Sequence, residues 1–135
     1  GMMQFMPFVA NDIAKQYAIP NFDQDDMFNP QIAYKFANIH LDYLEKSLKS
    51  PVFIAYAYNG GLGFTRKTLR REELFKRGKF EPFLSMELVA YAESREYGKR
   101  VLGNFVVYSQ ILGENISVRK LLDDLLVPQN SDFIR

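Results

Sequence analysis

The sequence of 135 residues contains no cysteine, no tryptophan and a single histidine. Without cysteine, the chain can form no disulfide and can use no thiolate for catalysis. One histidine leaves too few good ligands for a zinc or non-haem iron site, and it does not favour a Ser–His–Asp triad. No apolar run reaches the ~18 residues of a membrane span. We therefore expect no metal, no cofactor and no membrane-spanning segment.

What the sequence does contain is typical of one soluble globular domain. Hydrophobic residues make up 47% and charged residues 24%, and the formal net charge of +1 does not indicate a nucleic-acid-binding protein. The chain has 12 phenylalanines and 8 tyrosines. Such a content suits a core with polar edges, or a groove that stacks flat ligands.

Apolar residues recur at helical spacing through most of the chain, and no strand pattern exceeds about four residues. The sequence therefore predicts an all-α fold. Asn29-Pro30, Ser50-Pro51 and Ser117 are helix start signals, because each supplies a capping side chain. The predicted segments are helices over 7–18, 30–48, 51–60, 92–112 and 117–127, and a basic amphipathic segment over 64–75.

Several of these helices carry apolar stripes that we expect to face the core. On the first helix the stripe consists of Phe8, Val9, Ile13, Ala14 and Tyr17. On the long helix it consists of Tyr97, Val101, Phe105, Tyr108 and Leu112. The segment 78–90 is predicted to be less regular, because glycine and proline interrupt it.

Several polar residues have both structural and functional interpretations. His40 lies among apolar neighbours on a predicted helix, which favours a packed or hydrogen-bonded structural role. Asp23, Asp25 and Asp26 could hold calcium, but the glycine and the final glutamate of an EF-hand loop are missing. Turn and capping duty is therefore the favoured interpretation of these aspartates.

Cationic residues cluster between positions 66 and 79. The cluster consists of Arg66, Lys67, Arg70, Arg71, Lys76, Arg77 and Lys79. A solvated helix face, partly compensated by Glu72 and Glu73, is the favoured interpretation. The alternative is attraction to a polyanion, either nucleic acid or an anionic cell-wall polymer.

The most informative segment is residues 57–63, AYNGGLG, which ends the apolar run 52–57. A polar Tyr58-Asn59 pair at the mouth of a buried segment can present chemistry, and the glycines allow positive φ or close approach. Local grounds alone favour a simple helix C-cap. Glu87, also flanked by apolar residues, is balanced between a structural salt bridge and a site residue, because an unpaired buried carboxylate is costly.

Three segments, in order, resemble the motifs of soluble lytic murein transglycosylases. Residues 1–7, GMMQFMP, are similar to the family's G-[LM]-M-Q-x-M-P, and residues 57–61, AYNGG, to its A-Y-N-x-G. Residues 87–97, ELVAYAESREY, are similar to its closing segment, E-x-I-P-[FY]-x-E-T-R-x-Y. The resemblance covers roughly residues 1–112.

The resemblance implies a lysozyme-like helical fold and cleavage of the β-1,4 bond between N-acetylmuramic acid and N-acetylglucosamine. The partner would be the glycan strands of peptidoglycan, in the periplasm or cell envelope of a bacterium. One glutamate of the family protonates the leaving oxygen and then helps the sugar's own C6 hydroxyl attack. The product is a 1,6-anhydro sugar, so this plan differs from the two-carboxylate plan of most glycosidases.

The resemblance assigns six substrate-site residues: Gln4, Met6, Tyr58, Asn59, Glu87 and Tyr97. The first two would line the sugar groove near the acid. Tyr58 would reach toward the catalytic carboxylate, and Asn59 would help hold the groove backbone. Glu87 would hydrogen-bond the glycan, while Tyr97 would support the site from the long helix.

The sequence also departs from the family pattern. Leu62 stands where the family often has proline, Val89-Ala90 replaces Ile-Pro, and Ser94 replaces threonine. The family's catalytic glutamate lies in an E-S motif upstream of G-x-M-Q, and no glutamate here occupies that place. We therefore expect the acid/base glutamate upstream of Gly1 and no turnover by this chain; the alternative is a non-catalytic peptidoglycan-binding module.

This resemblance suggests a division of the chain. We expect residues 1–112 to be the C-terminal part of a transglycosylase domain, truncated at its N terminus, and residues 113–135 to be a C-terminal helix and tail. A missing N-terminal part would expose apolar surface around Phe5, Phe8 and the helix of Tyr58. A homodimer formed through that surface is therefore expected.

Overall fold

The computed structural model describes residues 7–127, and over this range the chain forms seven α-helices and one 3-10 helix, with no strand. The α-helices are α1 Pro7–Gln16, α2 Pro30–Leu48, α3 Pro51–Gly60, α4 Leu62–Leu69, α5 Phe83–Glu87, α6 Ala92–Ile111 and α7 Val118–Asp123, and the 3-10 helix is Gln24–Phe28. The predicted all-α fold is confirmed. Within the described range, no helix has the length and apolar character needed to cross a membrane.

Side-chain caps confirm the three predicted helix starts. Asn29 Oδ1 accepts a hydrogen bond from the amide two residues later, at 2.9 Å, before α2. Ser50 Oγ and Ser117 Oγ each accept one from the amide three residues later, at 3.5 Å and 3.2 Å, before α3 and α7. These bonds satisfy amides that the first turn of a helix leaves without a backbone partner.

The chain divides into two compact units, residues 1–43 and 44–135. The first has a small core of its own, in which α1 packs around the buried Phe36 of α2. Phe22 stacks on Phe36 with ring centroids 5.1 Å apart. The division expected at residue 112 concerns the family's boundaries and stays a prediction.

Three aspartates of the first unit surround the start of the 3-10 helix. Asp23 accepts a hydrogen bond from the Asp25 amide at 2.8 Å, and the Asp26 carboxylate accepts one from the Asp23 amide at 3.0 Å. This reciprocal pair is a capping box for the 3-10 helix, so the predicted capping duty is confirmed. His40 is half-buried, and burial lowers its pKa.

Helix α3 lies at the centre of the second unit, packed against α6 and α4. Its Phe53 and Tyr56 are fully buried, and Phe53 meets Phe75 edge-on with ring centroids 5.2 Å apart. The chain after α7 joins the same core, because Leu125 and Val127 are buried. The Val127 amide donates to the Phe75 carbonyl at 2.6 Å.

The apolar stripes expected to face the core are partly wrong. Phe8 of α1 and Tyr17 just after it are 61% and 54% exposed, and Tyr108 and Leu112 at the end of α6 are 63% and 74% exposed. Phe105 is exposed as well. An apolar stripe determines which face of a helix can be buried, but burial also requires another element over that face.

Two predicted helices end early. The basic segment is helical only to Leu69, where α4 stops, and α7 stops at Asp123 rather than continuing to residue 127. Lys76 explains the end of α4, because its Nζ donates to the carbonyls of Leu69 and Leu74 at 3.0 Å and 3.1 Å. A cationic side chain can donate to the last carbonyls of a helix, in place of the amides that a further turn would supply.

Candidate functional site

The segment after α3 uses its glycines in two different ways. Gly61 has φ +98° and ends α3, with its amide donating to the Ala57 carbonyl at 2.8 Å. A Cβ at Gly60 would lie 2.5 Å from Ser94 Oγ and 2.9 Å from Phe64 Cδ1. The helix-cap interpretation is therefore confirmed for Gly61. Gly60 permits a close approach of α6 that a cap alone does not require.

Asn59 fastens the end of α3 to the start of α6. Its Oδ1 accepts a hydrogen bond from Ser94 Oγ at 2.7 Å, and its Nδ2 donates to Glu93 Oε1 at 3.2 Å. Ser94 is buried, with 1% of its surface exposed. Both ends of the Asn59 amide are therefore occupied within the protein, and Asn59 is a positioning residue.

The half-buried Tyr58 lies within electrostatic reach of Tyr97 on α6. Burial, and secondarily the charge that Tyr97 would carry if ionised, raises the pKa of Tyr58 to about 12. The Tyr58 phenol therefore keeps its proton at physiological pH and can donate a hydrogen bond. The structure brings together two residues that lie far apart in the sequence.

Glu87, the last residue of α5, is exposed and ion-paired rather than buried. Lys99 Nζ of α6 lies 3.0 Å from Glu87 Oε1 and 3.0 Å from Glu96 Oε1. The hydrogen bonds that Lys99 donates to these two carboxylates raise the pKa of Lys99. Glu87 is thus ion-paired on the surface, and its carboxylate still faces solvent, where it can accept a further hydrogen bond.

Tyr56 packs its ring directly against the backbone of α6. A Cβ at Gly98 would lie 2.3 Å from Tyr56 Cε1, so only glycine allows this contact. The Tyr56 hydroxyl is buried and has no hydrogen-bond partner among the described residues. Burial, followed by the nearby charge of Glu87, raises the Tyr56 pKa above its usual range.

Two further contacts fix the chain between α5 and α6. Arg95 donates from a terminal guanidinium nitrogen to the Val89 carbonyl at 3.1 Å. Tyr91 stacks on Phe64 of α4, with ring centroids 4.2 Å apart and an interplanar angle of 18°. Tyr91 remains 56% exposed, so one aromatic face lies open beside the site.

Sequence reasoning missed Tyr56, Gly98 and Lys99 as parts of this arrangement. A glycine inside a predicted helix is a signal of close packing, because glycine otherwise destabilises the helix interior. The spacing of Glu96 and Lys99 is a signal of an ion pair, since side chains three residues apart meet on a helix surface. Nothing local identifies Tyr56 as the partner of Gly98.

The remaining expected site residues and the described depression do not belong to this site. Gln4 and Met6 lie outside the described residues. In the first unit, a depression of about 420 Å³ is lined by Asn11, Ala14, Lys15, Ile19 and Phe22, none of them an expected site residue. No group of three or more metal-binding side chains occurs within residues 7–127.

Comparison with known proteins gives a family for this arrangement. Residues 1–80 match the model of the transglycosylase SLT domain, which includes residues 57–61 but stops before Glu87. The chain is 26% identical, over 116 residues, to the soluble lytic murein transglycosylases of Escherichia coli K12 and Salmonella typhimurium LT2. The alignment covers 84% of this chain and 17% of each relative, so the chain spans about a sixth of their length.

The family match includes more than half of the chain and agrees with the all-α fold. This chain belongs to the transglycosylase SLT domain family.

Proposed function

We propose that this chain binds the glycan strands of peptidoglycan at the junction of α3, α5 and α6. The observations that carry the proposal are two contacts to α6: Tyr58 lies within electrostatic reach of Tyr97, and Glu87 is ion-paired with Lys99. A phenol that stays protonated and an exposed carboxylate are a donor and an acceptor for sugar hydroxyl and acetamido groups. The family match and the names of the relatives support peptidoglycan as the source of those groups.

The proposed reaction of the whole domain is cleavage of the β-1,4 bond between N-acetylmuramic acid and N-acetylglucosamine. A glutamic acid protonates the glycosidic oxygen as that bond breaks. The same carboxylate then accepts the proton of the C6 hydroxyl as its oxygen bonds to C1, and a 1,6-anhydro ring forms. In this scheme Tyr58 orients the acid and Glu87 holds the sugar. Asn59 fixes the end of α3 that carries Tyr58, and Lys99 fixes Glu87.

We further propose that the 135 residues bind glycan without turning it over. A general acid of this type needs a pKa raised by a partly apolar pocket. All the glutamates of the sequence lie within residues 7–127, and none of them is buried. Glu93 and Glu96, the two nearest to the site on α6, are exposed and engaged by Asn59 and Lys99.

Digestion of purified murein sacculi tests this division of roles. We expect no 1,6-anhydromuropeptides from the 135-residue chain, and measurable product from a chain extended upstream to include a glutamate of the family's E-S motif. Product from the 135 residues alone would contradict the claim that they lack the acid/base. A folded, glycan-binding extended chain with no activity would favour the second candidate, a non-catalytic peptidoglycan-binding module.

Matched variants test the residues of the site. Tyr58→Ala is compared with Tyr108→Ala, and Glu87→Gln with Glu114→Gln, because the second member of each pair is exposed and outside the site. We expect sacculus binding to weaken about tenfold for each site variant, the equivalent of one hydrogen bond to a charged or well-placed group. Equal binding by both members of each pair would contradict the assignment.

Two finer expectations belong to this proposal. The domain would work in the periplasm or cell envelope, where peptidoglycan is found. Self-association is proposed because Phe8 is 61% exposed and apolar side chains of this size favour burial. Elution of the chain as a monomer in gel filtration across a wide concentration range would contradict the homodimer.

A further inference from the structure

An exposed apolar cluster lies at the start of α5. Phe80, Phe83 and Leu84 are 69%, 59% and 49% exposed. Phe80 precedes α5, and the Leu84 amide donates to the Phe80 carbonyl at 3.0 Å, which ties Phe80 to the first turn of the helix. The three large apolar side chains are therefore close neighbours along the chain, and all three are open to solvent.

The backbone turns sharply to produce this surface. Phe80 has φ +67°, in the left-handed region, which a bulky side chain rarely adopts. Such a conformation persists only where the surrounding structure holds it, and exposed strain of this kind is associated with functional segments. Phe80 is 69% exposed, so this strained residue contributes little to the core.

Positive charge is concentrated directly before this cluster. Residues 66–79 carry seven cationic and two anionic side chains, a net charge of +5, while the remaining ten cationic and 14 anionic side chains give −4. Some of these cations are engaged within the protein, since Lys76 binds two carbonyls and Arg71 pairs with Glu73. Arg77 and Lys79 are exposed, and Lys79 Nζ lies 5.1 Å from the centre of the Phe80 ring.

We propose that Arg77, Lys79, Phe80, Phe83 and Leu84 form a basic–aromatic surface that binds an anionic lipid bilayer. Lipid headgroups attract the cations, and the interfacial region accepts the apolar side chains. A soluble polyanion would engage the cations but would leave three large apolar side chains in water. The combination therefore favours a bilayer surface on which the domain lies, and which no helix needs to cross.

The end of α6 provides an internal control. Ile111 and Leu112 are 72% and 74% exposed, more than any of the three apolar residues of the basic–aromatic surface. The only charged residue from position 101 to position 118 is Glu114. Exposed apolar surface without neighbouring cations therefore occurs on the same molecule.

Vesicle co-sedimentation of the 135-residue chain tests the proposal. Vesicles of phosphatidylglycerol and phosphatidylethanolamine are compared with vesicles of phosphatidylcholine. We expect binding to the anionic vesicles that is at least about tenfold tighter, because each cation near an anionic surface contributes to the attraction. We expect this preference to disappear at about 1 M salt, where the screening length falls to about 3 Å.

Three double variants separate the contributions. Phe80→Ser with Phe83→Ser, and Arg77→Glu with Lys79→Glu, are each expected to weaken binding at least about tenfold. Ile111→Ser with Leu112→Ser is expected to leave binding unchanged. Thermal unfolding of all three must match the wild type, as expected for exposed side chains.

Several outcomes would overturn the proposal. Absence of vesicle binding, equal binding to both vesicle types, or an equal effect of the control variant would each do so. Binding of a soluble polyphosphate that is lost with the charge reversals but kept by the phenylalanine variants, without vesicle binding, would assign the surface to a soluble polyanion instead.

Discussion

The two halves of α6 have similar helical periodicity and opposite surroundings. In the first half, residues 92–99, two small residues, Ser94 and Gly98, are buried against α3. In the second half, residues 100–111, Tyr108 and Ile111 are 63% and 72% exposed. Small residues let two helix backbones approach closely, whereas large apolar residues are buried only if something covers them. The candidate site lies entirely along the closely packed half.

The largest expected effect comes from adding one methyl group to the packed half. Gly98→Ala would place a Cβ 2.3 Å from Tyr56 Cε1, and we expect a loss of about 3 kcal/mol in the free energy of unfolding. Gly103→Ala, at an open position of the same helix, should instead raise it by about 0.5–1 kcal/mol, the difference in helix propensity. Urea denaturation measures both.

A double variant makes this test specific. Adding Tyr56→Leu to Gly98→Ala removes the ring that the new methyl group strikes. The double variant should be more stable than the two separate losses predict, because the two residues are in contact. Additive losses would show that the clash is not what destabilises Gly98→Ala.

The next effect comes from the hydrogen bond between the helices. Ser94→Ala removes the donor to Asn59 Oδ1, and we expect a loss of about 1–2 kcal/mol because the half-buried amide oxygen of Asn59 loses its partner. Ser109→Ala, at the other buried serine of α6, is the control and should cost less. Thermal unfolding followed by circular dichroism measures both, and equal losses would contradict a stabilising role for the Ser94–Asn59 hydrogen bond.

A smaller effect, and one that depends on pH, is expected at Tyr56. Its hydroxyl has no partner among the described residues, so Tyr56→Phe should change stability by less than about 1 kcal/mol at neutral pH, in the stabilising direction. The folded-state pKa of Tyr56 is raised by burial and then by Glu87, so the neutral form is favoured in the folded state. Stability is therefore complete below the unfolded pKa of about 10 and is lost as pH rises above it.

Unfolding measured from about pH 8 to about pH 11 checks the sign of this effect. The wild type should lose stability over this range, and Tyr56→Phe should lose less. Tyr58, whose pKa is raised to about 12, contributes a loss of the same sign that the variant retains. Tyr108→Phe is the exposed control. A steeper loss in Tyr56→Phe would contradict the burial of the phenol.

The smallest effect is expected in the open half of α6, residues 100–111. Ile111→Ser should change the free energy of unfolding by no more than about 0.5 kcal/mol, because the side chain is 72% exposed. A loss of more than about 2 kcal/mol would mean that this face is covered in solution. Measuring the loss at two protein concentrations would show whether a second copy provides the cover.

Local signals in the sequence predicted most of the fold. The caps at Asn29, Ser50 and Ser117 act within one helical turn, so they locate helix starts without knowledge of the rest of the chain. The end of α4 was not predicted, because the carbonyl of Leu69 accepts a hydrogen bond from Lys76, which lies just beyond the predicted segment 64–75. Such a contact depends on how the following loop folds back.

The site was predictable only in part, for a related reason. The glycines after Tyr58 predict positive φ or close approach, and the structure has one of each. The partners of Asn59 lie 34 and 35 residues away, and no periodicity identifies them. Which faces of α3 and α6 meet depends on Gly98 admitting the Tyr56 ring, a match of shape between helices that neither sequence segment shows alone.

The most direct test of the glycan-site proposal is a titration of the isotopically labelled chain with soluble murein glycan fragments, followed by amide chemical shifts. We predict that the shifts concentrate at residues 58–61, at Glu87 and at residues 93–99, with little change at residues 105–112. Shifts centred on the open half of α6, or none at saturating glycan, would contradict the placement of the site.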